Sequence, residues 1–251
     1  MKKIVAVIPA RYASTRFPGK PLAIINGKPM IERVFLQAHQ AIEDVFVATD
    51  DQRIFDAVES FGGNVVMTSD THRSGTDRCA EAVLEIEKKL GSLPDVIINI
   101  QGDEPFIKPE QINQLKRCFD DDSVQLATLV THIDNDEELI NPNRVKVVVD
   151  ANFNGIYFSR SPIPYLRDAL PGEWTKKHDY YKHLGMYGYT TDTLFAITKL
   201  QAGVLEKAES LEQLRWIENG YKIRCAVTEF ETYGIDTPDD LKAVSALFSD
   251  I

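Results

Sequence analysis

Cysteine is scarce, with only Cys79, Cys118 and Cys225 in 251 residues, far apart and without a CxxC pair or a Cys/His pair at zinc spacing. That excludes a disulfide framework, offers no structural zinc site, and reads as reduced thiols in a cytoplasmic protein. No run approaches the ~18 consecutive apolar residues that a membrane-spanning helix requires. Lys2-Lys3 followed by Ile4–Ala10 imitates the start of an export signal, but the run is short and Arg11 and Arg16 follow it, so neither secretion nor membrane association is expected. Internal repeats, low-complexity tracts and flexible linkers are missing as well. GxxxxGK[ST] and GxGxxG are both absent, which removes the P-loop and dinucleotide fingerprints, and the absence of HExxH and GxSxG argues against zinc and serine hydrolases.

What remains is an ordinary globular composition, 43% hydrophobic and 26% charged, long enough for one large α/β domain or two small ones. The net charge of −10 argues against nucleic acid as a partner, because duplex binding draws most of its affinity from Lys and Arg on phosphates. The distribution is uneven. Residues 1–31 carry +6 and no acid, while the other 220 residues carry −16. A cationic segment on an acidic chain points to a small polyanionic ligand.

Hydrophobic periodicity in the first half alternates between strand and helix. Apolar runs at Ile4–Ile8, Val45–Ala48, Val65–Met67 and Val96–Ile100 predict strands. Between them, 3.6-residue spacing predicts helices at Met30–Ala38, Ile54–Phe61, Asp77–Leu90 (Cys79, Ala80, Val83 and Leu84 inward) and Glu110–Phe119. Such alternation predicts a mostly parallel sheet covered on both faces. Beyond residue 120 the pattern is mixed, with strands expected at 124–131, 144–150, 154–159, 184–189 and 221–229 and helices at 134–140, 192–200, 204–218 and 238–248. The reading is one compact unit, 1–251, with an inserted mixed α/β sub-region at about 135–225.

Ligands of open α/β sheets bind beyond the carboxyl ends of the strands, and three such segments stand out. The first, Pro9–Pro21, carries Arg11, Ser14, Arg16 and Lys20; it reads either as a loop wrapping a triphosphate or as a solvated basic turn. The second is Gln101-Gly102-Asp103-Glu104-Pro105, where Asp103 stands where a phosphate-bound metal would sit or simply makes a turn contact. In the third, Thr237 as N-cap, Pro238 and Asp240 account for a helix start without needing Asp236, which leaves Asp236 free to join Asp103 around Mg²⁺. Arg160, His183, Tyr187, Glu212 and Gln213 lie near element ends in the inserted region, enough polar groups to hold a hydroxylated acid, although each also has a bland reading as a surface or core residue.

Eight segments, Ile8–Leu22, His72–Arg78, Gln101–Pro105, Asn141–Lys146, Tyr157–Arg160, His183–Tyr189, Glu212–Arg215 and Ile235–Pro238, in this order and over nearly the whole chain, closely resemble the 3-deoxy-manno-octulosonate cytidylyltransferase family. The resemblance implies a nucleotide-diphospho-sugar transferase-like (Rossmann-like) α/β fold. It also implies transfer of CMP from CTP to 3-deoxy-manno-octulosonate (Kdo), releasing pyrophosphate and forming CMP-Kdo for lipopolysaccharide. Carried over residue by residue, it places Ala10, Arg11, Ser14, Arg16 and Lys20 on the triphosphate, and Ser74, Gly75, Thr76 and Arg78 at the cytosine. Asp103 and Asp236 match Mg²⁺ ligands; Gln101, Arg160, His183, Tyr187, Glu212 and Gln213 match positions that hold the sugar acid. Arg11, Lys20, Asp103 and Asp236 are the expected catalytic set. The sub-region would serve sugar binding and dimerisation in a homodimer. Two departures, Arg73 where Gln is common and a glycine-poorer turn at Glu231–Gly234, leave the acceptor open between Kdo and its 8-amino analogue. A cytidylyltransferase for another acid sugar such as a sialic acid, and a non-catalytic nucleotide-sensing module, are the alternatives.

Overall fold

Four apolar runs become the strands at the heart of the molecule: β1 (Ile4–Ala10), β4 (Val45–Thr49), β5 (Asn64–Met67) and β6 (Val96–Asn99). The computed structural model describes residues 2–72, 74–170 and 172–247, so Arg73 lies outside the described residues. A short hairpin, β2 (Ile24–Ile25) and β3 (Lys28–Pro29), leads into α1 (Met30–His39); α2 (Gln52–Ser60), α3 (Gly75–Leu90) and α4 (Pro109–Arg117) connect the strands that follow. The remainder is β7 (Leu126–Ile133), α5 (Asp136–Ile140), β8 (Lys146–Val149), β9 (Gly155–Ser159), β10 (Tyr180–Thr190), α6 (Thr191–Ile197), α7 (Val204–Glu209), α8 (Gln213–Glu218), β11 (Arg224–Val227) and α9 (Pro238–Leu247).

Apart from the β2–β3 hairpin, which pairs on its own, the strands form one sheet in the order β11-β7-β10-β6-β1-β4-β5, with β8 pairing β10 and β9 pairing β8. β5, β4, β1 and β6 run parallel, as do β11 and β7, whereas β10 is antiparallel to both its neighbours. Period-two alternation splits the β1 side chains between two cores. Ala6 and Ile8 join Val34 and Ile112 of α1 and α4 on one face; Val5 and Val7 join Ala82, Val83 and Ile86 of α3 on the other. The chain leaves β1 for β4 and β5 on one side and returns to β6 on the other, so a crevice opens where β1 and β6 diverge, the usual ligand position in such sheets.

The structure adjusts several expected elements. α3 begins at Gly75 rather than Asp77 because the Ser74 side chain caps it, accepting the Asp77 N–H at 3.1 Å. Leu84, expected inward, is 47% exposed; Cys79, Ala82, Val83 and Ile86 form the buried stripe. The helix expected over 204–218 is two. Ser210 adopts the left-handed conformation (φ 53°) between α7 and α8, and the Glu209 and Ser210 carbonyls turn to accept from the Arg160 guanidinium. The strand expected at 184–189 spans 180–190, with its pairing to β7 interrupted between Leu184 and Tyr187.

Candidate active site

The loop after β1 is closed at its neck by one carbonyl: Tyr12 O accepts the N–H groups of Ser14 and Gly19, each at 3.0 Å. Gly19 sits at φ +72°, a conformation that glycine adopts without steric penalty, and releases the chain into a 3₁₀ turn headed by Lys20. Phe17 anchors the loop by packing against Ile25, Met30, Phe106 and Ile235. The polar side chains of the loop are thereby left facing the crevice.

Gln101–Glu104 follows β6 and passes so close to β1 that a Cβ on Gly102 would lie 3.0 Å from the Pro9 carbonyl oxygen. Asp103 is joined to the third segment through the backbone, its carbonyl accepting the Ile235 N–H at 2.9 Å. Asp240 caps that segment, accepting from the Asp236 and Thr237 N–H groups while its own N–H donates to Thr237 Oγ1, as the sequence led one to expect. Asp103 and Asp236 consequently converge. Lys20 Nζ lies 2.7 Å from Asp103 and 3.3 Å from Asp236, and the Arg16 guanidinium is 3.1 Å from Asp236. Beside them Glu104 is buried, and burial next to the Asp103 charge pushes its carboxyl up to about 8.

The N-terminus of α3 forms the opposite wall. Gly75 lets the helix start abut Pro9, whose Cγ a Cβ would approach to 3.3 Å. Arg78 is buried and held by Asp50 (2.8 Å) and Thr68 (2.6 Å), and His72 pairs with Glu81, which also accepts the Ser69 N–H. A 16-residue helix directing its first amides at a cleft supplies partial positive charge there.

One cleft brings these segments together. Ala10, Arg11, Ser14, Arg16, Lys20, Ser74, Gly75, Arg78, Gln101, Asp103 and Asp236 all line it, as do Pro9, Pro21, His72 and Gly102, which sequence reasoning had not named as site residues. His72 lay within a quoted segment, but its type alone gave no reason to select it. Thr76 lies behind the wall, 3% exposed, its hydroxyl donating to Glu212 Oε2 at 2.8 Å.

Of the residues matched to sugar binding, only Gln101 lines this cleft, and its Nε2 reaches Gly185 O of β10 at 2.9 Å. That contact falls at the β10 irregularity, where Thr128 Oγ1 meets the Leu184 and Met186 carbonyls and lies 3.0 Å from His183 Nε2. Phe158 and Tyr187 pack against His183, and loss of water pushes its imidazole down to about 3. Tyr187 pairs in register with Asn99 of β6, beside the crevice. Its hydroxyl and Gln213 Nε2 are buried without a hydrogen-bond partner among the described residues, and Glu212 is raised, chiefly by burial. Unpaired buried polar atoms are rare and are commonly satisfied by a ligand or by water. Arg160 stands elsewhere: its guanidinium donates to the carbonyls of Glu209, Pro142 and Ser210.

Comparison with known proteins agrees with this geometry. A family model described as cytidylyltransferase matches residues 5–223. The 3-deoxy-manno-octulosonate cytidylyltransferases of Parabacteroides distasonis and Bacteroides thetaiotaomicron are each 56% identical, over 99% and 96% of both chains. A solved structure of CMP:2-keto-3-deoxy-manno-octonic acid synthetase complexed with CTP superposes with a TM-score of 0.90 at 44% identity, covering 98% of each chain. A glucose-1-phosphate thymidylyltransferase from Bacillus anthracis, at 18% identity and a TM-score of 0.65 over 99% of this chain and 96% of that one, shares the fold. With an alternating α/β sheet, a cationic loop and paired aspartates at its switch point, and relatives matched from end to end, this chain belongs to the 3-deoxy-manno-octulosonate cytidylyltransferase family.

Proposed function

We propose that the protein transfers CMP from CTP to Kdo, releasing pyrophosphate and forming CMP-Kdo, in the cytoplasm where its three free thiols stay reduced. The observation that carries this reading is the convergence of Lys20 and Arg16 with Asp103 and Asp236 where β1 and β6 diverge. The loop cations would neutralise the triphosphate, aided by the α3 N-terminus, while Ser74, Gly75 and Arg78 line the wall available to the base. In the reaction, the anomeric oxygen of the sugar bonds to the α-phosphorus as the bond to the pyrophosphate oxygen breaks. The protein's part is alignment and charge neutralisation.

Asp103 and Asp236 fit Mg²⁺. No group of three or more His, Cys, Asp and Glu suited to a metal occurs among the described residues, but Mg²⁺ is commonly held by one or two carboxylates with substrate phosphates and water completing its shell. Here two carboxylates already share one cation, the Lys20 ammonium. When bound, the metal would neutralise developing phosphate charge. Gln101, His183, Tyr187, Glu212 and Gln213 would hold the sugar acid, the unpaired Tyr187 hydroxyl and Gln213 amide supplying its hydrogen bonds.

The test is pyrophosphate release with Mg²⁺, each of the four ribonucleoside triphosphates, and Kdo, 8-amino-Kdo and sialic acid in parallel. Release with CTP and Kdo alone supports the reading. Release with CTP and a different acid sugar reassigns the acceptor, and no release from folded protein that binds CTP favours a sensing module.

A further inference from the structure

Tyr12 is the second residue of the cationic loop, yet it is not among the residues that line the cleft. Its carbonyl closes the loop's neck, and its ring packs against the other side of that neck. A Cβ on Gly19 would lie 3.0 Å from the ring's Cζ and 3.1 Å from its hydroxyl oxygen. Over the ring lies the Arg53 guanidinium, 3.3 Å from its centroid. Arg53 belongs to the first turn of α2 and is itself held by the residue that caps that helix. Asp51 Oδ1 accepts the Arg53 backbone N–H at 3.0 Å and Nε–H at 2.9 Å, and Oδ2 accepts from the terminal nitrogen at 2.6 Å. Neither Arg53 nor Asp51 lines the cleft.

We propose that Asp51, Arg53 and Tyr12 form a clamp outside the cleft that holds the Arg11–Lys20 loop in its nucleotide-binding shape, making Tyr12 and Arg53 positioning residues for CTP. This rests on the reading that the loop grips the triphosphate. A guanidinium fixed by a carboxylate and centred over an aromatic face is an attractive contact that holds the ring in place. It reaches the chemistry through the neck: Tyr12 fixes Gly19, Gly19 is followed by Lys20, and the Lys20 ammonium lies between the two aspartates. A loop ordered before the nucleotide arrives loses less conformational freedom on binding, which appears as affinity. Arg53 thus contributes its charge to the loop's shape, its own charge being already matched by Asp51.

A double-mutant cycle on CTP affinity tests this. Calorimetric Kd, KM for each substrate, kcat and melting temperature are measured for the full chain and for Tyr12→Phe, Tyr12→Ala, Arg53→Ala, the Tyr12→Ala/Arg53→Ala pair and Lys20→Ala. Tyr12→Phe keeps the ring and binds CTP as the parent does. Arg53→Ala weakens CTP about two- to five-fold, the range for an exposed cation–π contact, with kcat, the sugar KM and the melting temperature nearly unchanged. Tyr12→Ala weakens CTP about ten-fold, and adding Arg53→Ala to it weakens binding no further. An equal loss from Arg53→Ala with and without the Tyr12 ring overturns the clamp, since Arg53 would then act on the nucleotide directly. So does parental affinity in Tyr12→Ala. Parental CTP affinity in Lys20→Ala overturns the loop's own role, and the clamp with it, whereas a weakened Lys20→Ala beside parental Tyr12→Ala and Arg53→Ala removes the clamp alone.

Discussion

Lys20 bridges Asp103 at 2.7 Å and Asp236 at 3.3 Å, so each aspartate carries its charge against a cation even without ligand. Asp103→Asn keeps an oxygen for Lys20 to donate to but removes the charge. It should lower kcat by about 10²–10³-fold, the scale of losing one electrostatic contact to a transition state, with an unchanged circular dichroism spectrum. Gln213→Ala should instead raise the KM for sugar with little effect on that for CTP. His183 carries a prediction of another kind. Its imidazole stays neutral in the folded protein down to about 3 but titrates near 6.5 when unfolded, so below pH 6.5 the unfolded state binds the extra proton. Wild-type stability relative to His183→Asn should therefore fall by up to about 1.4 kcal/mol per pH unit between pH 6.5 and 3, read by urea unfolding at several pH values. Residue types in the sequence pointed to cations and carboxylates, but not to their partners. Arg78 and Arg160 were expected at the cytosine and at the sugar, yet one is sealed on Asp50 within the cleft wall and the other is committed to three carbonyls.

Side-chain signals made the start of α9 legible, whereas the Ser74 cap of α3 went unread. Thr237 with Asp240 could be read as a capping pair, and each forms the expected bonds. Breaks caused by distant partners were not: Ser210 divides α7 from α8 because Arg160 recruits the carbonyls there, and nothing between 204 and 218 announces it. Lys146 is a similar case. Fully buried on β8, its ammonium donates to the carbonyls of Asn141 (2.9 Å), Arg144 (2.6 Å) and Arg160 (2.5 Å), tying the turn before β8 to the end of β9. Lys146→Met preserves the stem's volume but takes the ammonium from the Arg144 and Arg160 carbonyls, while Asn141 O keeps the Arg144 N–H at 3.1 Å. It should destabilise the fold by about 2–4 kcal/mol, seen as a lower urea midpoint with an unchanged m-value.

Across the whole molecule, the alternation of strand and helix sufficed to predict a parallel sheet and where its ligands would bind. The place of β10 did not follow, because antiparallel insertion between β6 and β7 is decided by long-range pairing that periodicity does not encode. Charge shows the same division. The +6 of residues 1–31 suggested a single cationic patch, yet the fold disperses half of it. Lys2 pairs with Asp122 and Lys3 donates to Ser92 at the opposite end of β1, and Lys28 pairs with Glu32, leaving Arg11, Arg16 and Lys20 at the cleft. A chain of net charge −10 therefore repels CTP at long range and attracts it only within about a Debye length of the cleft, ~10 Å at 0.1 M salt. Because the local attraction governs capture, kcat/KM for CTP should fall as salt rises from 50 to 500 mM. Lys2→Glu and Lys28→Glu should follow the parental curve, since both charges lie off the cleft, while Arg16→Ala should start lower and fall less steeply. Parallel curves for Arg16→Ala and the parent, or a fall in kcat/KM for Lys2→Glu as large as that for Arg16→Ala, would mean that CTP responds to the summed charge of the molecule rather than to the three cations at the end of β1.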